Sequence, residues 1–527
     1  LKQEFPASTQ AIASASPPIP SDSREIELKF FASETGFKAS QQWKALDAIT
    51  TPSRAQRLRS IYFDTPNADL ERHNITLRIR NQRRAFLMTL KWQGNFSGGL
   101  YERGEIEIPT PFAEPDTSLF GAEIAAMLAR IIHDQPIIAV FETDIRRTLR
   151  RISSGSSDIE IAFDSGHIIA AEQKLAVREI EMELKSGDPA ELYRQGIALA
   201  ETYPVQLGTM TKSFRGALLA SGNPPSPVRA GSLAAGELSV DAAIAAIING
   251  CIAQFTGNWP VFESGDAVTA IHQMRVALRR LRSLLGLFHR SFPCAEFSQF
   301  RIAAKDIAAT LGDARNWDVF LELLQAGPVK AFPEVPGLAE ILAQSQQHRR
   351  AAYETVRQLL ATPKTTCFVL SLQAFVARHG WRNTLAPEAL SRLTEPAISF
   401  AATNLNRMQS KLAKRGKNLA AFEPHKRHRI RIELKKFRYA ADLFAGLFPA
   451  AQLRDHTRTT ARAQDQLGIF NDLISAHDMV AKLDTASPDV NFASGIITGW
   501  CGRGALQDDD ALAVAWKKFR KLKPLSG

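Results

Sequence analysis

Cysteine, tyrosine and long apolar runs are scarce in this 527-residue chain. The four cysteines, Cys251, Cys294, Cys367 and Cys501, all lie in the second half and far apart. They form no CxxC or Cys/His spacing of the metal-binding kind, and a disulfide framework is not expected in so long a chain, so a reducing, cytoplasmic setting is the expectation. No apolar run reaches the roughly 18 residues that cross a bilayer; the nearest, 239–255, is interrupted by Asp241. Residues 1–23 lack the basic start and apolar stretch of a secretory signal. No membrane partner is therefore expected. P-loop, GxGxxG and GxSxG motifs are also missing, and no Ser/His/Asp arrangement can be argued.

What remains is ordinary globular chemistry, 45% apolar and 23% charged, in a length that suggests about three domains. The net charge of +11 is unevenly placed. Residues 1–220 hold 26 Lys and Arg against 28 Asp and Glu, whereas 221–527 hold 39 against 26. A polyanionic partner is expected on the second part.

Residues 1–23, rich in Ala, Ser and Pro, read as a disordered lead-in. From Arg24 the pattern alternates with period 2: REIELKFF, TLRIR (76–80), FLMTLKW (86–92), RGEIEIP (103–109), SDIEIAFD (157–164) and REIEMELK (178–185). Breaks of Gly, Pro, Asp and Ser between such runs predict a largely antiparallel sheet, with helices near 118–132 and 189–202. SGNPPSPVRAGSLAAG (221–236) has the composition of a linker. From Glu237 amphipathic helices follow one another. The fold class is α+β, an α/β-mixed part over 24–220 joined to an all-α part over 237–522.

Residues two apart share a strand face. Glu25, Glu27 and Lys29 therefore project together, as do Arg78 with Arg80, Arg103 with Glu105 and Glu107, and Glu179 with Glu181, Glu183 and Lys185; Glu160 projects from another strand and Lys91 ends one. A sheet with one wet face accounts for this pattern. A closed barrel with these faces inside accounts for both signs at once. Carboxylates are hard ligands for Mg²⁺ or Mn²⁺, cations bind phosphoryl oxygens, and a metal bridges the two.

The ordered motifs EIELK, LRIR, TLK, RGEIE, TDIRR, IEIAFDSG, EIEMELKSGD and TKSFRGALL across about 24–220 resemble a CYTH domain, a triphosphate tunnel metalloenzyme. The resemblance implies an eight-stranded antiparallel barrel whose tunnel holds a triphosphate. It implies Glu25 and Glu27 as metal ligands with Glu179 and Glu181, and either Glu160 or Asp164 as a further one. Lys29, Arg78, Arg80, Lys91, Arg147 and Lys212 match the phosphate-binding cations, Arg146 being the alternative to Arg147. Catalysis would centre on Glu27, Lys29 and Arg147, with water attacking a terminal phosphoryl group of inorganic triphosphate in a Mg²⁺- or Mn²⁺-dependent reaction.

The helical part contains a repeat. His272, Arg275, Arg279 and Arg282 recur as His428, Arg431, Lys435 and Arg438, each 156 residues on, and LGDARNWDVF and LGIFNDLISA keep the same offset. This reads as a duplicated helical unit. At about 100° per residue each set of four lies within an arc of about 80°. A solvated basic face is one account of such a stripe; two stripes forming one positive groove is the other. HQMRVALRRLR, LGDARNWDVF, RHRIRIELKKFRYA and AWKKFRKLKP, within about 237–522, resemble a CHAD domain. That resemblance implies binding of inorganic polyphosphate between two helical bundles through both sets and Tyr439, with His425 a neighbouring alternative to His428.

Three rivals stand beside a triphosphatase: a non-catalytic polyphosphate-binding protein, a nucleotide cyclase on the same barrel, and nucleic-acid binding by the basic helices. The last is disfavoured as a partner; it predicts comparable affinity for polynucleotides and a steep salt dependence.

Overall fold

A computed structural model describes the chain except residues 1–23, 47–53, 83–84, 235, 420–421, 485, 507–508 and 527. The expected disordered lead-in, 1–23, lies outside the described residues. Two compact units emerge. The first runs to Ser226 and takes in Trp259–Gly265 and Ala361–Ala377; the second holds Pro227–Asn258, Asp266–Leu360 and Arg378–Gly527.

The alternating segments of the first unit become β1 (Arg24–Ala32), β2 (Arg54–Asp64), β3 (Thr76–Gln82), β4 (Ala85–Ser97), β5 (Leu100–Thr110), β6 (Ile138–Ser154), β7 (Ser157–Ala170) and β8 (Gln173–Ser186), with a short β9 (Val205–Leu207). Their order is β5-β4-β3-β2-β6-β7-β8-β1, and β1 pairs back onto β5, closing an eight-stranded antiparallel barrel. β9 extends the far end of β1. Closure leaves each strand one face inside and one outside. The apolar set faces out here, so helices must cover it.

Of the helices α1 (Glu34–Ser40), α2 (Asp69–Arg72), α3 (Ala122–Ile132), α4 (Pro189–Thr202) and α5 (Lys212–Ser221), α3 packs Ile124, Met127 and Leu128 on Leu77, Ile79, Met88, Leu90 and Trp92 of β3 and β4. α4 starts at Pro189, with the Asp188 carboxylate accepting from the Ala190 N–H as its cap. At one end the interior is apolar, built from Tyr62, Phe141, Ile145, Ile168 and Val177, and Ala217 and Leu219 of α5 pack there. Thr211 caps α5 through the Phe214 N–H, and Lys212 and Arg215, three apart, then share a face.

The helical elements are α6 (Val240–Gly257), α7 (Trp259–Ser264), α8 (Ala267–Ser291), α9 (Ala295–Ala326), α10 (Pro328–Ala331), α11 (Pro336–Leu360), α12 (Pro363–Ala377), α13 (Pro387–Arg392), α14 (Ala397–Arg415), α15 (Pro424–Phe444), α16 (Ala450–Val480), α17 (Pro488–Leu506) and α18 (Asp509–Arg520). The repeat is wider than its motifs. Shifted by 156 residues, α6, α8 and α9 fall on α14, α15 and α16, and α11 overlaps α17. Each of the four helices also touches its own counterpart, the pattern of two halves meeting about a pseudo-twofold axis.

Two features differ from the reading of composition. Val240–Ser264 is long and apolar enough to cross a membrane by length and composition, yet 61% of its most apolar stretch is buried within the protein. Its Asp241 accepts from Trp381 Nε1 at 2.8 Å and from Arg382, so α6, which makes up most of the segment, reads as a bundle core helix. The second feature is α12, which belongs to the barrel unit although it lies inside the helical half of the sequence. Its Thr366 hydroxyl accepts from the Leu207 N–H at 3.2 Å, and Leu370 packs at Gly196 of α4.

Trp92 is 1% exposed at the centre of the outer apolar layer. Trp92→Ala is expected to cost about 3–5 kcal/mol, read as a lower urea midpoint; an unchanged midpoint would show that this layer does not hold the barrel together.

Candidate functional site

The charged faces of the strands meet in a cavity of about 180 Å³ inside the barrel. Glu25, Glu27 and Lys29 (β1), Arg78 and Arg80 (β3), Lys91 (β4), Arg147 (β6), Glu160 (β7), Glu181 (β8) and Lys212 (α5) all line it. These are the residues singled out from the sequence, with one exception. Glu179 lies deeper, fully buried against Lys212 and Arg215. Arg147 points in, whereas Arg146, on the opposite strand face, is exposed.

The carboxylates are held by cations from across the barrel. Lys91 Nζ donates to both Glu25 oxygens at 2.7 Å. Arg103 reaches Glu25 at 2.9 Å and Glu27 at 2.5 Å. Lys29 donates to Glu27 at 2.7 Å and also contacts Glu181. Arg147 clasps Asp164 at 2.7 and 2.6 Å and Glu181 at 2.6 Å, while Lys212 approaches Asp164 at 2.8 Å and Glu181 at 3.0 Å.

Arg103 was visible in the alternation of β5 but not marked as a site residue. Its register opposite Glu25 is the signal that would have found it, and this exists only once β1 and β5 pair. Tyr62, which also lines the cavity, and Arg215 were not marked either: Tyr62 stands in a strand of mixed composition, RAQRLRSIYFD, and within TKSFRGALL only Lys212 was matched. Of Glu160 and Asp164, the structure brings Asp164 to Glu179 and Glu181, with one oxygen of each within 4.8 Å of the others. Glu160 instead stands 3.7 Å from Lys185.

These pairings set the protonation. Burial alone would raise the carboxyls of Glu25, Asp164 and Glu181. Lys91 and Arg103 outweigh it at Glu25, Arg147 and Lys212 at Asp164, and Lys29 and Arg147 at Glu181, so all three lie below the usual carboxylate range. Arg80 is the opposite case. Arg78 beside it, then burial and Arg147, bring it down to about 10. No carboxylate pairs with Arg80 among the described residues, and its Nε has no hydrogen-bond partner there. Arg78 has carboxylates no nearer than 3.6 Å. The barrel thus has an acidic wall on β1, β5, β7 and β8, while on β3 Arg78 is held charged by Tyr62, Glu105 and Glu107 and Arg80 beside it has no carboxylate partner among the described residues.

In the helical unit the two basic stripes converge. Burial, then Arg315, Arg275, Arg279 and Arg438, lower the pKa of His272. Burial, then Arg279, followed by Arg315 and Arg431 among others, brings Arg275 down to about 10. Arg438 and Arg431 belong to α15, so residues of both copies share one positive field. Arg282 on α8 and Arg431 and Lys435 on α15 are half-buried along it; His272 and His428 are exposed and Tyr439 is buried. His425 turns instead to Glu423, at 3.3 Å. Arg315, from α9, was not marked from the sequence because the counterpart position in the second copy is Asn471.

Comparison with known proteins agrees with this division. The CYTH domain family model matches residues 23–215 and that of the CHAD domain matches 246–481. The chain joins a CYTH domain to a CHAD domain. An inorganic triphosphatase of Haemophilus influenzae is 32% identical over 165 residues, 31% of this chain and 46% of that protein, so the match spans about half the length of that relative. An uncharacterized protein of Mycobacterium tuberculosis is 26% identical over 449 residues, covering 80% of this chain and 83% of its own. The crystal structure of the CHAD domain from the plant Ricinus communis matches with a TM-score of 0.49 and 28% identity, over 57% of this chain and 98% of that one.

Because the three CYTH carboxyls are depressed in the folded chain, the stability they supply is complete above the ordinary carboxylate pKa of about 4 and is lost as the pH falls from there toward their folded values. The urea midpoint should therefore stay level between about pH 7 and pH 5 and drop below about pH 4. Asp164→Asn should start lower and drop less; a wild-type midpoint indifferent to acid would contradict the pairing.

Proposed function

We propose that the CYTH barrel hydrolyses inorganic triphosphate to diphosphate and phosphate in a metal-dependent reaction, and that the CHAD domain binds inorganic polyphosphate. The observation that carries the first half is the cavity itself, in which buried carboxylates face guanidinium groups that lack full partners. A purely anion-binding pocket has no use for so many carboxylates beside phosphate, since like charges repel.

The donor set of Asp164, Glu179 and Glu181, three carboxylates with oxygens within 4.8 Å, fits a hard divalent cation such as Mg²⁺ or Mn²⁺, and Glu25 and Glu27 would supply further oxygens from β1. Such a cation would supply charge neutralisation and a more acidic water. The chain's own groups do the rest. Arg80 takes phosphoryl oxygens on the β3 wall, where binding breaks no ion pair among the described residues, and Arg78 adds a second guanidinium beside it. Lys29, Lys91, Arg147 and Lys212 hold the charge that builds up on the leaving diphosphate. Their present partners are the same carboxylates, so seating substrate and metal exchanges partners within one network. Burial pushes the Glu183 carboxyl up against the pull of Lys185, which suits it to take up a proton from an attacking water. A cytoplasmic location belongs to the same proposal.

The test is phosphate release from inorganic triphosphate with Mg²⁺ or Mn²⁺ and with chelator. Turnover should require metal, and Glu27→Gln, folded by circular dichroism, should lose about 100-fold or more. No turnover by folded wild type across metals and pH would sink the triphosphatase reading.

Polyphosphate binding is supported by the shared field of α8 and α15, in which Arg275 is held near like charges and short of carboxylates. Arg275→Gln is expected to weaken long-chain polyphosphate binding about tenfold in calorimetry and to lessen its salt dependence. Equal affinity for single-stranded nucleic acid would favour that partner instead.

A further inference from the structure

A second cavity, of about 410 Å³, lies within the CHAD unit between α8, α15, the start of α16 and the segment 230–232. Arg280 stands in its wall, 5% exposed. One arm of its guanidinium donates to the Gly231 carbonyl at 3.0 Å, which fixes the group; its buried Nε has no partner among the described residues. Arg438 joins from α15, 3.9 Å from Asp442 and over the ring of Tyr439, and its Nε is likewise without a hydrogen bond there. Asp442 therefore faces two guanidinium groups without a close bond to either.

The chain around the cavity is pinned. Val228 and Asn258 exchange hydrogen bonds at 3.2 and 2.9 Å, and the Leu233 N–H donates to Leu443 at 2.9 Å. The charged set of this cavity is not repeated as a whole in the other copy. At the positions 156 residues away, Arg280 corresponds to Lys436, exposed and paired with Glu433, and Asp442 to Gly286. The duplication alone thus does not account for it.

Two guanidinium donors and one carboxylate acceptor in one pocket match a particular ligand. We infer that this cavity binds a tetrahedral phosphoryl group that still carries a P–OH, with Arg280 and Arg438 donating to its oxygens and Asp442 accepting from its hydroxyl. A fully ionised oxyanion of the same shape would set its charge against Asp442 with no hydrogen bond in return. At neutral pH orthophosphate carries such a hydroxyl and sulfate does not. Among polyphosphate phosphoryls, the terminal ones are the ones that can carry it. Free orthophosphate, the product proposed for the barrel, and a polyphosphate chain end therefore share the required chemistry; the second source rests on the polyphosphate reading above.

Isothermal titration of the full chain separates these cases, using orthophosphate, sulfate, long-chain polyphosphate, and polyphosphate with both ends capped as esters. Orthophosphate is expected to bind about tenfold or more tightly than sulfate, and Arg280→Gln and Asp442→Asn each to abolish that preference. Because Arg280 is buried and its variant can fail to fold, the Asp442→Asn result decides. Preference for orthophosphate unchanged in Asp442→Asn, as binding in the barrel alone would give, overturns the inference, and so does equal binding of sulfate. Weaker binding of capped polyphosphate by wild type but not by Asp442→Asn identifies the chain end as ligand. No effect of capping, with the orthophosphate preference intact, identifies free orthophosphate. If polyphosphate fails to bind while the orthophosphate preference holds, the groove reading fails and this pocket stands.

Discussion

A carboxylate inside a closed sheet must find a cation, and that requirement organises the CYTH unit. An unpaired buried charge is costly, whereas a paired and hydrogen-bonded one is tolerated. Glu25, Glu27, Asp164, Glu179 and Glu181 each meet Lys or Arg side chains from other elements. The interior is consequently polar throughout its charged section, and the apolar residues that would fill an ordinary core lie on the outside, under α3 and α4. Where α5 meets the barrel the interior becomes apolar, and the same helix delivers Lys212 and Arg215 to the acidic wall. Among the described residues Arg80 is the cation of this network left without a carboxylate partner, which is why the β3 wall is open to an anion.

The CHAD unit treats charge in the opposite way. Its stripes on α8 and α15 accumulate arginine, and each copy adds to the field felt by the other. The apolar faces of these helices carry the cost of holding like charges together, with Ile271, Met274, Leu278 and Leu281 of α8 buried behind the stripe. One unit thus encloses a mixed-sign cavity and the other presents a nearly one-sign surface. The first suits a substrate that brings metal; the second suits a long anion.

Much of this was legible in order along the chain. Period-2 alternation gave the strands and the inward residues, because parity alone decides the face of a strand. An unchanged offset of 156 residues gave the duplication, and the helices then showed it to extend to α6 and α14, whose sequences share no motif. Arg103 was not recognised, because its importance lies in its register with Glu25, a relation between strands 78 residues apart. Glu179 shares the parity of Glu181 but sits behind Lys212, since depth along a barrel depends on strand tilt and on the helix at its end.

The sequence by itself determined which residues face inward, where the linker composition lies, which half carries the positive excess and that the helical half is repeated. These are local properties, set by side-chain parity, turn chemistry and periodicity. Only the tertiary structure decided which cation meets which carboxylate, that Asp164 rather than Glu160 completes the acidic cluster, that α12 packs on the barrel, and that Arg280, Arg438 and Asp442 share one cavity. Those facts depend on barrel closure and helix packing, which bring together residues whose separation along the chain carries no record of their distance in space.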